Sequence, residues 1–472
     1  MNKKFNYNPY LISNLNDKKN IPIYNKTNIK KFSINFRLKD LNYIFIFLNS
    51  FFEISKFYFE SLFIKNKISW LINNFKCKKI NIGDLVYDLY IRYDLKFIKP
   101  SIYDPKFIKI LFSAILKTLF LDFIIKKYKI KFLISTQISY SSYGKIILRY
   151  GTKNKLKTLL TGHNFLKKLN NYNDSLNSPF SVNQNHIKKN TKKIDPKRLK
   201  KFYNQRVVGK IQGTYVPLYT IKKVYGLKEN KKILDFVKKI YQIKKNYKIN
   251  ILACHSFSDS PHLCGDMIFN DYYDQFLQTI NFIRKNQKEF WIIKPHPARS
   301  LYNEDGVIEN IIDRYKDELR NVIICPNEIN NTTIFNLSDN LINGVSTISI
   351  EYASYGRKSI LAGNAPFFHK NLFFRPKNKK EYFNLISKIS KLDTNLNNSN
   401  ILLAKRILYI LEKETLNDLK VSKILPDLFK NKINDKNYLK EVFKKINKGK
   451  NYSILNDSLY NSLDEKILKF GL

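Results

Sequence analysis

Between Phe290 and Gly363 the chain reads FWIIKPHPARS, NVIICP, DNLINGVSTISIEYASYG and KSILAG, a series of short apolar runs each stopped by Pro, Gly, Ser or Thr. Helical stretches separate them. Runs this short that are apolar throughout, rather than alternating, suit parallel strands covered by helices on both faces. An α/β sheet is therefore expected, with polar residues gathered where its strands stop, the edge at which open α/β sheets take their ligands.

The same alternation extends outward. ENKKILDFVKKIYQIKKN reads as a helix, INILACH (249–255) as a strand, HSFSDSPHLCGD as a loop and NDYYDQFLQTINFIRKN as a helix, while NSNILLAKRILYILEKE further on is an amphipathic helix. In the first half, INI stops at Gly83-Asp84 and a helix starts near Leu85; KIKFLIST (129–136) is a strand, a helix begins near Tyr143, and KTLLTG ends a further strand at Gly162. The expected organisation is α/β, with two Rossmann-like domains facing a cleft. Residues 1–30 form a poorly ordered arm and 31–235 an N-terminal domain with a loop insertion at 164–205. Residues 236–400 form a C-terminal domain, and 401–472 helices and a basic tail.

Composition narrows the function classes. The 472 residues include 84 Lys and Arg against 38 Asp and Glu, a net charge of +46, which invites a polyanion-binding reading. Only 12 of those cations are arginine, however, and bidentate phosphate or base recognition favours Arg. Lysine spread from end to end beside Asn and Ile reads as the codon usage of an AT-rich genome, so no specific nucleic acid is expected. Such a surface still suits anionic lipid head groups. Cys77, Cys254, Cys264 and Cys325 form no CxxC pair and no apolar leader precedes them, so reduced thiols and a cytoplasmic location are expected, with peripheral contact at the inner face of the cytoplasmic membrane. The apolar stretches 41–64 and 107–127 carry internal charges and read as packed amphipathic helices rather than membrane spans.

Several groups stand where chemistry is possible. In Lys294-Pro295-His296-Pro297 the prolines fix the backbone around the imidazole, and Lys294 and His296, two apart, share one side if the chain is still extended. That pairing suits a phosphate leaving group, with His296 as a general acid; the alternative is a buried histidine at a strand end. Ser346 and Thr347 follow a strand that stops at Gly344 and open a helix, with Glu351 one turn on, an arrangement for an anion and for ribose hydroxyls or else an ordinary helix cap. His255, Asp259 and His262 follow a strand end and line a cleft; a zinc site from Cys254, His255, His262 and Cys264 lacks the usual spacing, so no metal is expected. Ser139, in SYSSYGKIILR, opens either an acceptor-binding loop or a polar loop with Tyr143 packed on the sheet.

The KPHP motif, followed by Ser346-Thr347, Glu351 and Gly356, resembles the HP and Ser motifs of bacterial GT-B glycosyltransferases of the capsule polysaccharide and surface carbohydrate group. Kdo transferases and CMP-sialic acid transferases belong to that group, and CDP-glycerol glycerophosphotransferases carry a related pattern. The resemblance covers residues 250–365 and implies that His296, Ser346 and Thr347 hold the donor phosphate and that Glu351 meets the nucleotide, beside the Lys294 cation that the residues themselves place there. It also implies that a carboxylate of the first domain, Asp84, is the base. The expected activity is transfer from a nucleotide-activated sugar, a CMP-sugar favoured, to a polysaccharide or lipid-linked acceptor, with no metal and no cofactor. The rivals are a CDP-glycerol phosphotransferase and a non-enzymatic protein that binds polyanions or a membrane surface.

Overall fold

The structure, a computed structural model, describes residues 10–13, 30–33, 41–135, 143–161, 166–177, 194–207, 231–263, 265–327 and 329–411. In chain order the first half comprises β1 (Tyr10–Ser13), β2 (Lys30–Ser33), α1 (Leu41–Leu62), α2 (Lys67–Asn74), β3 (Lys76–Cys77), β4 (Ile80–Asn81), α3 (Gly83–Ile91), α4 (Pro105–Lys127), β5 (Phe132–Ser135), α5 (Tyr143–Lys153), β6 (Lys157–Thr161), β7 (Leu166–Leu169), α6 (Tyr172–Leu176) and α7 (Pro196–Val207). The second half comprises α8 (Lys231–Lys244), β8 (Ile249–Ala253), α9 (Tyr272–Lys285), β9 (Phe290–Lys294), α10 (Val307–Arg314), β10 (Val322–Ile324), α11 (Asn331–Leu337), β11 (Asn340–Asn343), α12 (Ile348–Ser354), β12 (Ser359–Leu361), β13 (Phe373–Phe374), α13 (Lys379–Ser387) and α14 (Asn398–Tyr409).

Every apolar run of the central stretch is a strand of one six-stranded parallel sheet, ordered β10-β9-β8-β11-β12-β13. The chain moves outward from β8 through β9 to β10, then returns to the other side of β8 for β11, β12 and β13. That reversal makes the gap between β8 and β11 the topological switch point. All residues of β8, β9 and β11 are buried. The register between β8 and β11 has a polar pin, since the fully buried Asn250 accepts a 2.8 Å hydrogen bond from Asn340 Nδ2 and faces it across the ladder.

The first half is less regular than expected. β5 and β6 are parallel with α5 between them, but β4 pairs antiparallel with β3 and lies outside their sheet. The turn at Lys78 and Lys79, both left-handed (φ 49° and 65°), folds INI back on the preceding strand, which alternation of apolar residues does not report. α3 nevertheless starts where the pattern placed it. Gly83 is required there, because a Cβ would lie 1.8 Å from the carbonyl oxygen of Leu71 in α2.

Three boundaries shift. Part of the expected 164–205 loop is regular: β7 pairs antiparallel with the edge of β6, α6 is fixed by a capping box between Asn171 and Asp174, and α7 opens on Asp195, which accepts from Lys197 N–H. Residue 235 falls inside α8, whose Phe236 and Ile240 bury with Ile249, Ile251 and Phe290, so this helix belongs to the second sheet. Within the expected arm, β1 pairs parallel with β2, and the tail beyond residue 411 lies outside the described residues. The two halves share one apolar core: Phe97 packs against Phe257 at 5.5 Å and Tyr273 at 5.1 Å between ring centroids. No described helix is long and apolar enough to cross a membrane.

Candidate functional site

The neighbouring strands β9, β8 and β11 end side by side and release the residues that matter. β9 stops at Lys294, 7% exposed, in register with Ala253 of β8. His296 lies two residues past the strand end, where a turn begins that is closed by Arg299 N–H donating to the His296 carbonyl. The β11 end is tied to β8 by Asn343, whose Nδ2 donates to the Ala253 carbonyl at 3.0 Å while its Oδ1 accepts from Ser346 N–H at 2.6 Å.

His255, just past β8, is sandwiched. One face of its ring stacks on Tyr272 at 4.1 Å and 14°, the other on His296 at 5.3 Å and 17°. Tyr272 in turn lies over Gly344, where a Cβ would come within 2.9 Å of the phenol ring, so only glycine lets the column form beside the β11 end. The loop after His255 is held by Glu304, a buried carboxylate that accepts from Phe257 N–H (2.9 Å), Ser258 N–H (2.7 Å), Ser256 Oγ (3.1 Å) and Ser258 Oγ. Sequence reasoning missed Glu304. Its only signal is an acid in YNEDG, forty-odd residues from the loop it holds.

The electrostatics of His296 alter its role. Burial, then the charges near it on His255 and Lys294, push it down to about 3. A neutral ring is a poor general acid. Its Nδ1 accepts from Ala298 N–H at 3.3 Å, which leaves Nε2 carrying the hydrogen, so the ring is a fixed hydrogen-bond donor.

A second cluster forms where the halves meet. His262 Nδ1 lies 2.6 Å from Asp88 Oδ1, and His262 N–H donates to Asp88 Oδ2 at 3.3 Å; the residues are 6% and 1% exposed. Burial alone would lower the imidazole, but the Asp88 carboxylate outweighs it and holds His262 above its ordinary value, while burial raises Asp88 in turn against the pull of His262. One helical turn earlier on α3, Asp84 meets Arg149 of α5 in a bidentate pair, both contacts 2.6 Å, with Arg149 Nη1 also donating to the Asn81 carbonyl. Burial favours protonating Asp84, yet Arg149 prevails and keeps the carboxyl below its usual range. Tyr87 donates to Asp271, the cap of α9, and burial raises that carboxyl to about 6.

The expected site residues thus divide. Lys294, His296, His255 and Ser346 share the sheet edge at the switch point. His262 sits instead with Asp88 at the seam between the halves, while Asp259 bridges the two groups, 4.0 Å from both His255 Nδ1 and Arg92. Asp84 spends both oxygens on a buried guanidinium, an outcome that its place at a turn did not disclose. Thr347 is the exposed cap residue of α12 but its hydroxyl makes no capping bond. Glu351 is 5% exposed and accepts from Asn331 Nδ2 at 2.9 Å, so it is already engaged. Ser139 and Cys264 lie outside the described residues.

No protein-family profile and no curated protein matches the chain. Among solved structures it is similar to the beta Kdo 2,7 transferase of Thermosulfurimonas dismutans KpsC, with 13% identity over 61% of this chain and 79% of that one at a TM-score of 0.30. The beta Kdo 2,4 transferase of the same protein aligns over 58% of this chain and 78% of that one, at 13% identity and a TM-score of 0.27. The UDP-GlcNAc 2-epimerase of Methanocaldococcus jannaschii, in complex with UDP-GlcNAc and UDP, aligns over 85% and 98%, at 12% and 0.29. TM-scores this low leave activity and substrate to the residues of the site.

Proposed function

We propose that this chain is a GT-B glycosyltransferase that moves a sugar from a nucleotide-activated donor to a carbohydrate acceptor. The observation that carries the reading is the set of groups at the switch point: the Lys294 cation, the Nε2–H donor of His296 and the Ser346 turn, released by adjacent strand ends beside an aromatic column. A phosphate leaving group gathers negative charge as the glycosidic bond breaks. Fixed donors and a cation that meet this charge lower the barrier without reorganising.

In this reading Lys294 neutralises the departing phosphate and His296 donates a hydrogen bond to it without giving up a proton. Glu351 reaches a ribose only by sharing its bond with Asn331. The acceptor hydroxyl gives its proton to His262, which Asp88 orients through Nδ1 and whose imidazolium it stabilises. A CMP-sugar remains the favoured donor on the resemblance of the KPHP and Ser346-Thr347 motifs.

Titration calorimetry against CMP, CDP, UDP, GDP and their sugar conjugates tests the donor side. Selective binding of one nucleotide is expected, with about 2.7 kcal/mol of added stability at 100 times its dissociation constant. His296→Ala should cut transfer by about 100-fold to 1,000-fold, the usual loss for one oxyanion donor, while keeping the fold. Wild-type turnover in that variant, or no nucleotide binding by the native chain with acceptor glycan present, overturns the proposal.

A further inference from the structure

Among the described residues, α1 carries an exposed apolar face. Phe45, Leu48, Phe51, Phe52, Phe59 and Leu62 are 50–68% exposed, and Phe63 just beyond the helix is 75% exposed. On the other side of the same helix Ile46, Ser50, Phe57 and Ser61 are buried. Single exposed apolar residues are ordinary, but a row of them along one 22-residue helix is not. The row broadens across the neighbouring α4: Phe47 and Phe51 pack on Phe112 at 5.4 and 5.1 Å, and Tyr58 stacks on the half-exposed Tyr103 at 6.0 Å. The result is an aromatic plate of two packed helices.

We infer that this plate is a docking surface for an anionic lipid bilayer. Charge decides the occupant. Lys56 stands within the face, 57% exposed, Lys65 follows it, and Lys109 lies on the turn of α4 before Phe112; all three are exposed. Two carboxylates lie at the border of the face, Glu60 and the half-buried Glu53, and Glu60 is paired with Lys56 at 3.9 Å, so Lys65 and Lys109 carry the excess. A second copy of a chain with a net charge of +46 would bring these lysines against their own kind. An anionic leaflet takes them favourably. Phe and Leu then enter the acyl boundary while Tyr58 and Tyr103 suit the head-group level, the mode of a helix lying in the interface. The 3–4 spacing of Phe45, Leu48, Phe52, Phe59 and Leu62 also fits a helix seam, so self-association is the competing occupant to be tested.

The test is flotation of the full chain with vesicles of phosphatidylcholine alone, or with about 30% phosphatidylserine, at low and high salt. Binding to the anionic vesicles that weakens with salt is expected, and little to the neutral ones. Replacing Phe45, Phe52 and Phe59 together by Ser should weaken it by about tenfold or more, with unchanged thermal unfolding because the positions are exposed. Leu48→Gln with Leu62→Gln should act in the same direction, which covers the case of a misfolded triple variant. The inference fails if native protein ignores anionic vesicles. It fails equally if the variants bind as well as native protein, since charge alone then suffices, or if light scattering shows a dimer that the substitutions dissociate. Nucleotide binding is unaffected by these outcomes, so this inference and the proposed activity stand or fall separately.

Discussion

His296 and His262 are both largely buried imidazoles, and their surroundings push them in opposite directions. At the sheet edge, burial and the cations around His296 hold it down to about 3, so the ring stays neutral and donates a fixed hydrogen bond. At the seam, Asp88 overcomes burial and holds His262 above its ordinary value, so that ring takes a proton readily. In the proposed reading, these opposite shifts would assign one ring to donation and the other to proton acceptance. A histidine's role is therefore set by the charge beside it more than by its exposure.

The sharpest way to break the contrast is to remove the seam's carboxylate. Asp88→Asn should lower the His262 pKa and reduce transfer by about 100-fold to 10,000-fold, the range for losing a positioned base. If His262 is the base, kcat/KM of the native chain should rise as pH climbs through the raised His262 pKa, because the base must be unprotonated. The stability contributed by the same pair has the opposite sign. It is full below about 6.5, the unfolded pKa, and is lost as pH rises through the folded value. A pH-rate profile and chemical unfolding at several pH values check both. A profile unchanged in Asp88→Asn removes His262 from the base role.

Next in size is the neighbouring anchor. Arg149→Ala strands Asp84 as a buried, unpaired charge and should cost about 3–5 kcal/mol in urea unfolding. Arg149→Ala combined with Asp84→Asn should recover part of that loss. A small cost for Arg149→Ala alone would return Asp84 to the candidates for the base. The smallest effect sharpens the other half of the comparison. Gly344→Ala drives a methyl into Tyr272 and should destabilise by about 1–3 kcal/mol, as overpacking does. Because the Tyr272–His255–His296 column must tilt, it should also weaken nucleotide binding, measured by calorimetry, while the pH dependence that belongs to His262 stays in place.

The two regions also differ in how they are written. Five of the six strands of the C-terminal sheet were legible, all but the two-residue edge strand β13, since short apolar runs ending in Pro, Gly or Ser leave few other ways to bury them, and a parallel sheet then puts Lys294, His255 and Ser346 on one edge. There the strand ends are each marked locally, and the parallel sheet alone brings them together. Asp88 and His262 are 174 positions apart, and Arg149 is 65 from Asp84. No local period links them, and GDLVYD offered two carboxylates with nothing to tell the anchor from the partner of a histidine. Glu304, holding the loop before His262, was hidden for the same reason.

The sequence by itself determined the α/β class, the parallel strands and the edge on which polar residues collect, because hydrophobic burial acts over a few residues at a time. Only the tertiary structure decided which carboxylate is locked, which histidine is neutral and which helix face is left bare, because those depend on charges and surfaces brought together from distant parts of the chain.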